Sequence, residues 1–148
     1  MTNETLKPLL IAEDDDADAK LTTLALKQQN IANEIIRIAD GEEVLQYLRY
    51  EGKYANRPKI MPCVLLLDLK MPKLSGLEVL KAIRNDENLQ FLPVVILTSS
   101  KEEQDLVDGY KLGANAYVVK PIDFQQFTAA IKELGTFWAV VNTNLSDR

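Results

Sequence analysis

Five polar positions could do chemistry in this chain, and each comes directly after an apolar run. Glu13-Asp14 follow Leu9-Leu10-Ile11-Ala12, and Asp68 follows Val64-Leu65-Leu66-Leu67. Thr98 follows Val94-Val95-Ile96-Leu97, and Lys120 follows Ala116-Tyr117-Val118-Val119. A single carboxylate at the end of such a run is ordinarily a turn former. Three carboxylates brought to one edge are different, because like charges raise one another's pKa unless a cation joins them. Oxygen ligands alone point to a hard divalent ion, Mg²⁺, which takes one or two carboxylates, waters and a phosphate oxygen. A hydroxyl from Thr98 and an ammonium from Lys120 are donors suited to phosphoryl oxygens. The Asp68 carboxylate is ionised at neutral pH and needs no base to act as a nucleophile. The chemistry this set can do is in-line phosphoryl transfer onto Asp68, with the other groups spreading the charge of the transition state.

Strands and helices in strict alternation would have to position these groups. The stretch Val64 to Pro72, VLLLDLKMP, organises the rest: its unbroken apolar run suits a parallel strand covered on both faces. Further strands are expected at Leu9–Ala12, Glu34–Ala39, Val94–Leu97 and Ala116–Val119. Asp16 or Asp18 is expected to cap the first helix, whose period is set by Leu21, Leu24, Ala25 and Gln28. Asp40-Gly41 leads into a helix carrying Val44, Leu45 and Leu48. Ser75-Gly76 opens another, with Val79, Leu80 and Ile83 facing inward. Ser100 and Glu103 have the spacing of a capping box for a helix carrying Leu106 and Tyr110, and Gly113 suits its left-handed end. Asp123 caps a last helix running at least to Leu134. Alternation on this spacing predicts an α/β fold: a doubly wound (βα)5 flavodoxin-like sandwich. The mixed second and fifth strands belong at the edges, giving the parallel order 2-1-3-4-5. That order converges all five polar positions on one carboxyl-end cleft.

Length and composition agree with a single domain over residues 1–148, with a core of about 8–134 and an extension over 135–148. A net charge of −5 leaves no basic footprint for nucleic acid. Neither a membrane span nor a signal peptide is indicated. Histidine is absent, which excludes imidazole catalysis and imidazole metal ligands within the chain. The single Cys63 opens a buried strand and reads as core. A reducing, cytoplasmic setting fits. Glu51 to Pro62, about a dozen residues with two prolines, reads as a surface insertion able to touch a partner.

The chain resembles the response-regulator receiver domains of two-component signalling, over roughly Pro8 to Leu134. The matching pieces are Glu13-Asp14, the D-x-x-M-P-x-x-x-G stretch from Asp68 to Gly76, Thr98, and Lys120-Pro121. The resemblance implies that Asp68 takes a phosphoryl group from a histidine of a partner kinase. It implies a Mg²⁺ held by Glu13, Asp14, Asp68 and the backbone carbonyl of Lys70. It also implies a switch pair of Thr98 and Tyr117, and a cis Lys120–Pro121 bond. Such a protein promotes its own phosphorylation and dephosphorylation and is not a turnover enzyme. Lys70 itself departs from any fixed pattern, and its side chain is expected beside the site.

The long Glu51–Pro62 segment and the aromatic tail resemble single-domain regulators that pair with cyanobacterial phytochromes. With no output domain following in the sequence, the signal is expected to leave through a protein surface. Phe124, Phe127, Ile131, Leu134, Trp138 and Val141 recur at spacings of three and four, a helix seam. With Phe137, the Trp138–Val141 end suggests a homodimer alongside the Tyr117 face. Three other readings compete. A haloacid-dehalogenase-type aspartate phosphatase wants a second Asp two residues after the nucleophile, where Lys70 stands. A flavodoxin wants a Ser/Thr-rich loop where this chain has acids. A docking-only relic has no need of Asp68, Thr98 and Lys120 together.

Overall fold

The computed structural model describes residues 6–28, 30–112, 116–133 and 140. Its elements are β1 (Leu9–Ala12), α1 (Asp16–Lys27), β2 (Ile35–Ile38), α2 (Gly41–Arg49), a 3₁₀ turn (Gly52–Tyr54) and β3 (Val64–Asp68). They continue with α3 (Gly76–Arg84), β4 (Val94–Thr98), α4 (Lys101–Gly109), β5 (Ala116–Val119) and α5 (Phe124–Glu133). The sheet is parallel throughout, in the order β2-β1-β3-β4-β5. This is the flavodoxin-like arrangement that the alternation predicts.

Side chains of successive strand residues point to opposite faces, and that parity divides the core in two. Leu10, Leu65, Leu67, Val94 and Ile96 pack with Val44, Leu48, Val79, Leu80, Ile83 and Val107, so α2, α3 and α4 cover one face. Leu9, Ile11, Leu66, Val95, Leu97 and Val118 pack with Leu26, Phe127 and Ala130, so α1 and α5 cover the other. Every residue of β1, β3 and β4 is buried, which is why these strands carry no polar alternation.

Local details depart from the sequence expectations in four places. Asp15, not Asp16 or Asp18, caps α1, accepting the Asp18 N–H at 2.8 Å. The buried stripe of α1 is Ala19, Thr22 and Leu26, while Leu21 and Leu24 lie exposed; the two registers share the 3-and-4 spacing. On α4 only Val107 is buried, and Leu106 and Tyr110 face outward. The Ser100/Glu103 box is half made. Ser100 accepts the Glu103 N–H, but the Glu103 carboxylate accepts from Ser99 N–H and Oγ instead of returning to Ser100. The complete box is on α3, between Ser75 and Glu78.

The Glu51–Pro62 insertion is pinned down. The Arg57 guanidinium stacks 3.8 Å from the Tyr47 ring centre and 4.1 Å from that of Tyr50, and donates to the carbonyls of Tyr47, Pro58 and Ile60. Gly113, Leu134, Phe137, Trp138 and Val141, on which the expected helix end and dimer tail fall, lie outside the described residues.

Candidate functional site

The register of the sheet carries the site. Asp68 ends β3 opposite Leu97 of β4, so Thr98 projects one residue further along the neighbouring strand. β1 lies on the other side of β3 and delivers Glu13 one step past Ala12, which pairs with Leu67. Thr98 pairs with Val119, and its carbonyl accepts the Lys120 N–H at 2.9 Å, fixing the lysine at the same edge. The Lys120–Pro121 peptide bond is cis.

Glu13 is fully buried, Asp68 is 6% exposed and Asp14 faces solvent. One carboxylate oxygen of each lies within 4.8 Å of the others. Lys120 Nζ sits among the acids, 2.8 Å from Glu13 Oε1, 3.0 Å from Asp68 Oδ2 and 3.2 Å from Asp18 Oδ2. Burial pushes the Glu13 carboxyl up to about 7, against the pull of Lys120 and with the nearby Asp68 carboxylate adding to the rise. Burial alone would lower the Lys120 pKa, but the Glu13 and Asp68 carboxylates outweigh it and hold the ammonium above its ordinary value. The cleft thus has more anionic groups than its one ammonium can balance.

A divalent cation fits this donor set. Glu13 Oε1 is buried, and its near partner is the Lys120 ammonium at 2.8 Å, which Asp68 and Asp18 share. One shared ammonium leaves the buried Glu13 and Asp68 carboxylates short of positive charge. The cation's ligands would be Glu13, Asp14 and Asp68, all hard oxygen donors.

Thr98 is buried at the end of β4. Tyr117 is half-buried on β5, and its hydroxyl donates to Asp108 of α4. Burial first, then that hydrogen bond and the Asp108 charge, raise the Tyr117 pKa. Lys70 directs its backbone N–H to Asp68 Oδ1 at 3.4 Å. Its ammonium lies 3.7 Å from the Glu103 carboxylate at the start of α4.

Two residues of the site are not among the sequence candidates. Arg37 of β2 donates from Nε to the Glu13 carbonyl at 2.8 Å and from Nη2 to the Asp14 carbonyl at 3.0 Å, and pairs with Asp16 at 2.9 Å. A lone cation interrupting an apolar strand beside four consecutive acids was the available signal. Asp18 reaches Lys120 across 102 positions of sequence, a contact no local pattern announces.

Gly76 lets the site close. Its N–H donates to the Leu69 carbonyl at 2.8 Å, and a Cβ there would stand 2.2 Å from the Asp68 carbonyl oxygen. Helix α3 therefore rests directly on the backbone of Asp68 and Leu69.

Comparison with known proteins agrees with this geometry. The response regulator receiver domain family matches residues 9–132. The response regulator Rcp1 of Synechocystis sp. is 36% identical over 132 residues, 89% of this chain and 88% of that protein. The solved structure of the bacteriophytochrome response regulator AtBRR has a TM-score of 0.89 at 52% identity, covering 94% of this chain and 99% of that one. The Mn²⁺-bound form of Rcp1 has a TM-score of 0.71 at 35% identity, covering 90% and 94%.

Proposed function

The chain belongs to the response regulator receiver domain family, and from that premise we propose that it is the phosphoryl-accepting partner of a histidine kinase. The observation that carries the reading is Asp68 at a strand end, with Lys120 Nζ at 3.0 Å and the carboxylates of Glu13 and Asp14 beside it. An Asp68 carboxylate oxygen attacks phosphorus; the P–N bond to the kinase histidine breaks, and the imidazole leaves with the bonding electrons. Lys120 and Thr98 donate to the phosphoryl oxygens as charge moves onto them. A Mg²⁺ held by Glu13, Asp14, Asp68 and the Lys70 carbonyl would supply neutralisation of the phosphoryl charge. The Mn²⁺ form of Rcp1 supports a divalent ion in this chain too.

Phosphate on Asp68 offers Thr98 a strong acceptor, and each hydrogen bond to a charged group is worth about 1.5–3 kcal/mol. That is enough to draw the hydroxyl inward and let Tyr117 leave Asp108 for the space behind it. The protein then acts as a carrier of a signal, not a turnover enzyme. Lys70 supports this: it stands where a dehalogenase-type phosphatase needs its second Asp, and it pairs with Glu103 instead.

The similarity to the bacteriophytochrome response regulator AtBRR supports a kinase of the phytochrome type. No helix among the described residues is long and apolar enough to cross a membrane. Exposed Leu106, Tyr110 and Val119 on α4 and β5 are consistent with a homodimer on the Tyr117 side.

Incubation with acetyl phosphate or a phosphorylated kinase, with and without Mg²⁺, tests the reading by mass spectrometry. Label should appear on Asp68 alone and require the metal. Label that survives Asp68→Asn, or ignores chelation, refutes it. A Thr98→Ala variant should accept phosphate normally yet respond weakly at the partner surface.

A further inference from the structure

The ammonium of Lys120 has three hydrogens to donate, and three carboxylates surround it. Two of these, Glu13 and Asp68, also belong to the acidic trio that suits a cation. Asp18 does not. It stands on the first turn of α1, and its backbone is fixed by the N-cap: its N–H donates to Asp15 Oδ1 at 2.8 Å. Its carboxylate accepts from Lys120 at 3.2 Å while remaining 43% exposed. The helix that follows the acid pair therefore carries a separate anchor for the lysine that follows β5.

We infer that Asp18 is a positioning residue for phosphoryl transfer, holding Lys120 over Asp68 when the lysine's other two partners are drawn away. This rests on the reading of Asp68 as the phosphoryl acceptor. In the unphosphorylated cleft Lys120 sits between Glu13 and Asp68, 2.8 Å from one and 3.0 Å from the other. During transfer both carboxylates acquire stronger partners, the cation for Glu13 and phosphorus for Asp68. A lysine with four freely rotating methylenes would then lose its fixed direction, because long side chains lose rotamer freedom only when something holds them. Asp18 keeps one donor occupied from the mouth of the cleft, which leaves the others aimed inward at the phosphoryl oxygens. Its exposure suits the task. A fully buried fourth carboxylate would add to the crowding that already raises Glu13.

The test uses the full chain with acetyl phosphate at saturating Mg²⁺, the label followed by intact mass; here the P–O bond breaks and acetate leaves. Asp18→Ala should lower the maximal rate by about tenfold, the equivalent of about 1.4 kcal/mol in the barrier, with a smaller change in the Mg²⁺ concentration for half-maximal rate. Asp18→Asn, which retains an oxygen acceptor, should recover part of the rate. In a Lys120→Ala background, Asp18→Ala should change nothing further. An unchanged maximal rate, or an equal loss in both backgrounds, overturns the inference. If Lys120→Ala is too slow to measure, the same four proteins are unfolded in urea without metal. Non-additive midpoints support the Asp18–Lys120 contact, and additive ones overturn the inference. Failure of the underlying reading looks different: the native chain takes no label, or label survives Asp68→Asn.

Discussion

Replacing Gly76 by alanine should damage the fold and the site together, although Ala is the better helix former. A Cβ at this position stands 2.2 Å from Asp68 O, 2.6 Å from Leu69 Cα and 2.9 Å from Asp68 C, all backbone atoms. The closest approach is about 1.2 Å short of the 3.4 Å at which ordinary contact begins. No rotamer can relieve it, so α3 must lift away from the end of β3. Overpacking of this kind costs about 1–3 kcal/mol, sometimes more, against roughly 0.5–1 kcal/mol gained by removing a helical glycine. A net loss of about 2 kcal/mol is expected, lowering the urea midpoint by roughly 1 M. Phosphorylation of Asp68 should slow as well, because the carboxylate rides on the displaced backbone. Gly109 supplies the control. It ends α4 with nothing within 4 Å of a built Cβ, so Gly109→Ala should leave stability unchanged or raise it by up to about 1 kcal/mol. Far-UV circular dichroism in urea measures both. A Gly76→Ala protein as stable as the native chain, or effects of the same sign at the two glycines, would refute the packing argument.

Burial raises the Cys63 thiol from 9.0 to about 11, so the native thiol should resist alkylation at pH 8 and react promptly in denaturant. Between those two values the unfolded chain gives up this proton and the folded chain keeps it, so stability should fall as pH rises through the window, less steeply in Cys63→Ala. Ser75→Ala removes a complete capping box and should cost about 1 kcal/mol, more than Ser100→Ala at the half-made one, by urea midpoints. Lys70→Asn should shorten the life of the phosphoryl group on Asp68, since a carboxamide can orient a hydrolytic water and an ammonium cannot; an equal or longer lifetime by mass spectrometry removes that idea. Amide hydrogen exchange should be faster in α4 than in α2 or α3, and comparable protection would contradict the packing difference among these helices.

The sheet order was legible because its cause is compositional. A parallel strand buried on both faces reads as a near-continuous apolar run, as the first, third and fourth strands do up to their last residues. The second is broken by Arg37 and the fifth carries Tyr117. The cleft was legible for the same reason, since a polar residue ending such a strand has only the carboxyl edge to occupy. What escaped was orientation around a helix axis and pairing across the sheet. Leu21 and Leu24 share their spacing with Ala19, Thr22 and Leu26, and nothing local says which stripe the sheet will take. Arg37 and Asp18 do their work on partners set by the register of β2 beside β1 and by the lysine after β5, which appear only once the strands are assembled. The reach of Glu103 to Ser99 instead of Ser100 is a choice between adjacent donors that spacing cannot make.

The packing also says where a signal raised at Asp68 can go. α2, α3 and α4 are each nine residues long, yet they bury five, four and one residues respectively. Stability is not uniform across such a sheet: elements with few buried apolar contacts open at the lowest cost. α4 is therefore the face least able to resist a new hydrogen bond at Thr98, which ends the strand just before it. Its other ties are polar and reach the site from both sides: Lys70 to Glu103 at its start, and Tyr117 to Asp108 near its end. On the proposed switch, a Thr98 drawn toward a phosphoryl group would act on a helix whose one buried residue is Val107. Glu13 and Asp68 sit by contrast at the ends of the fully buried strands β1 and β3. On the proposed function the chemistry falls on fully buried strands and its consequence on the helix with one buried residue. A few hydrogen bonds would then reshape the surface bearing Leu106 and Tyr110.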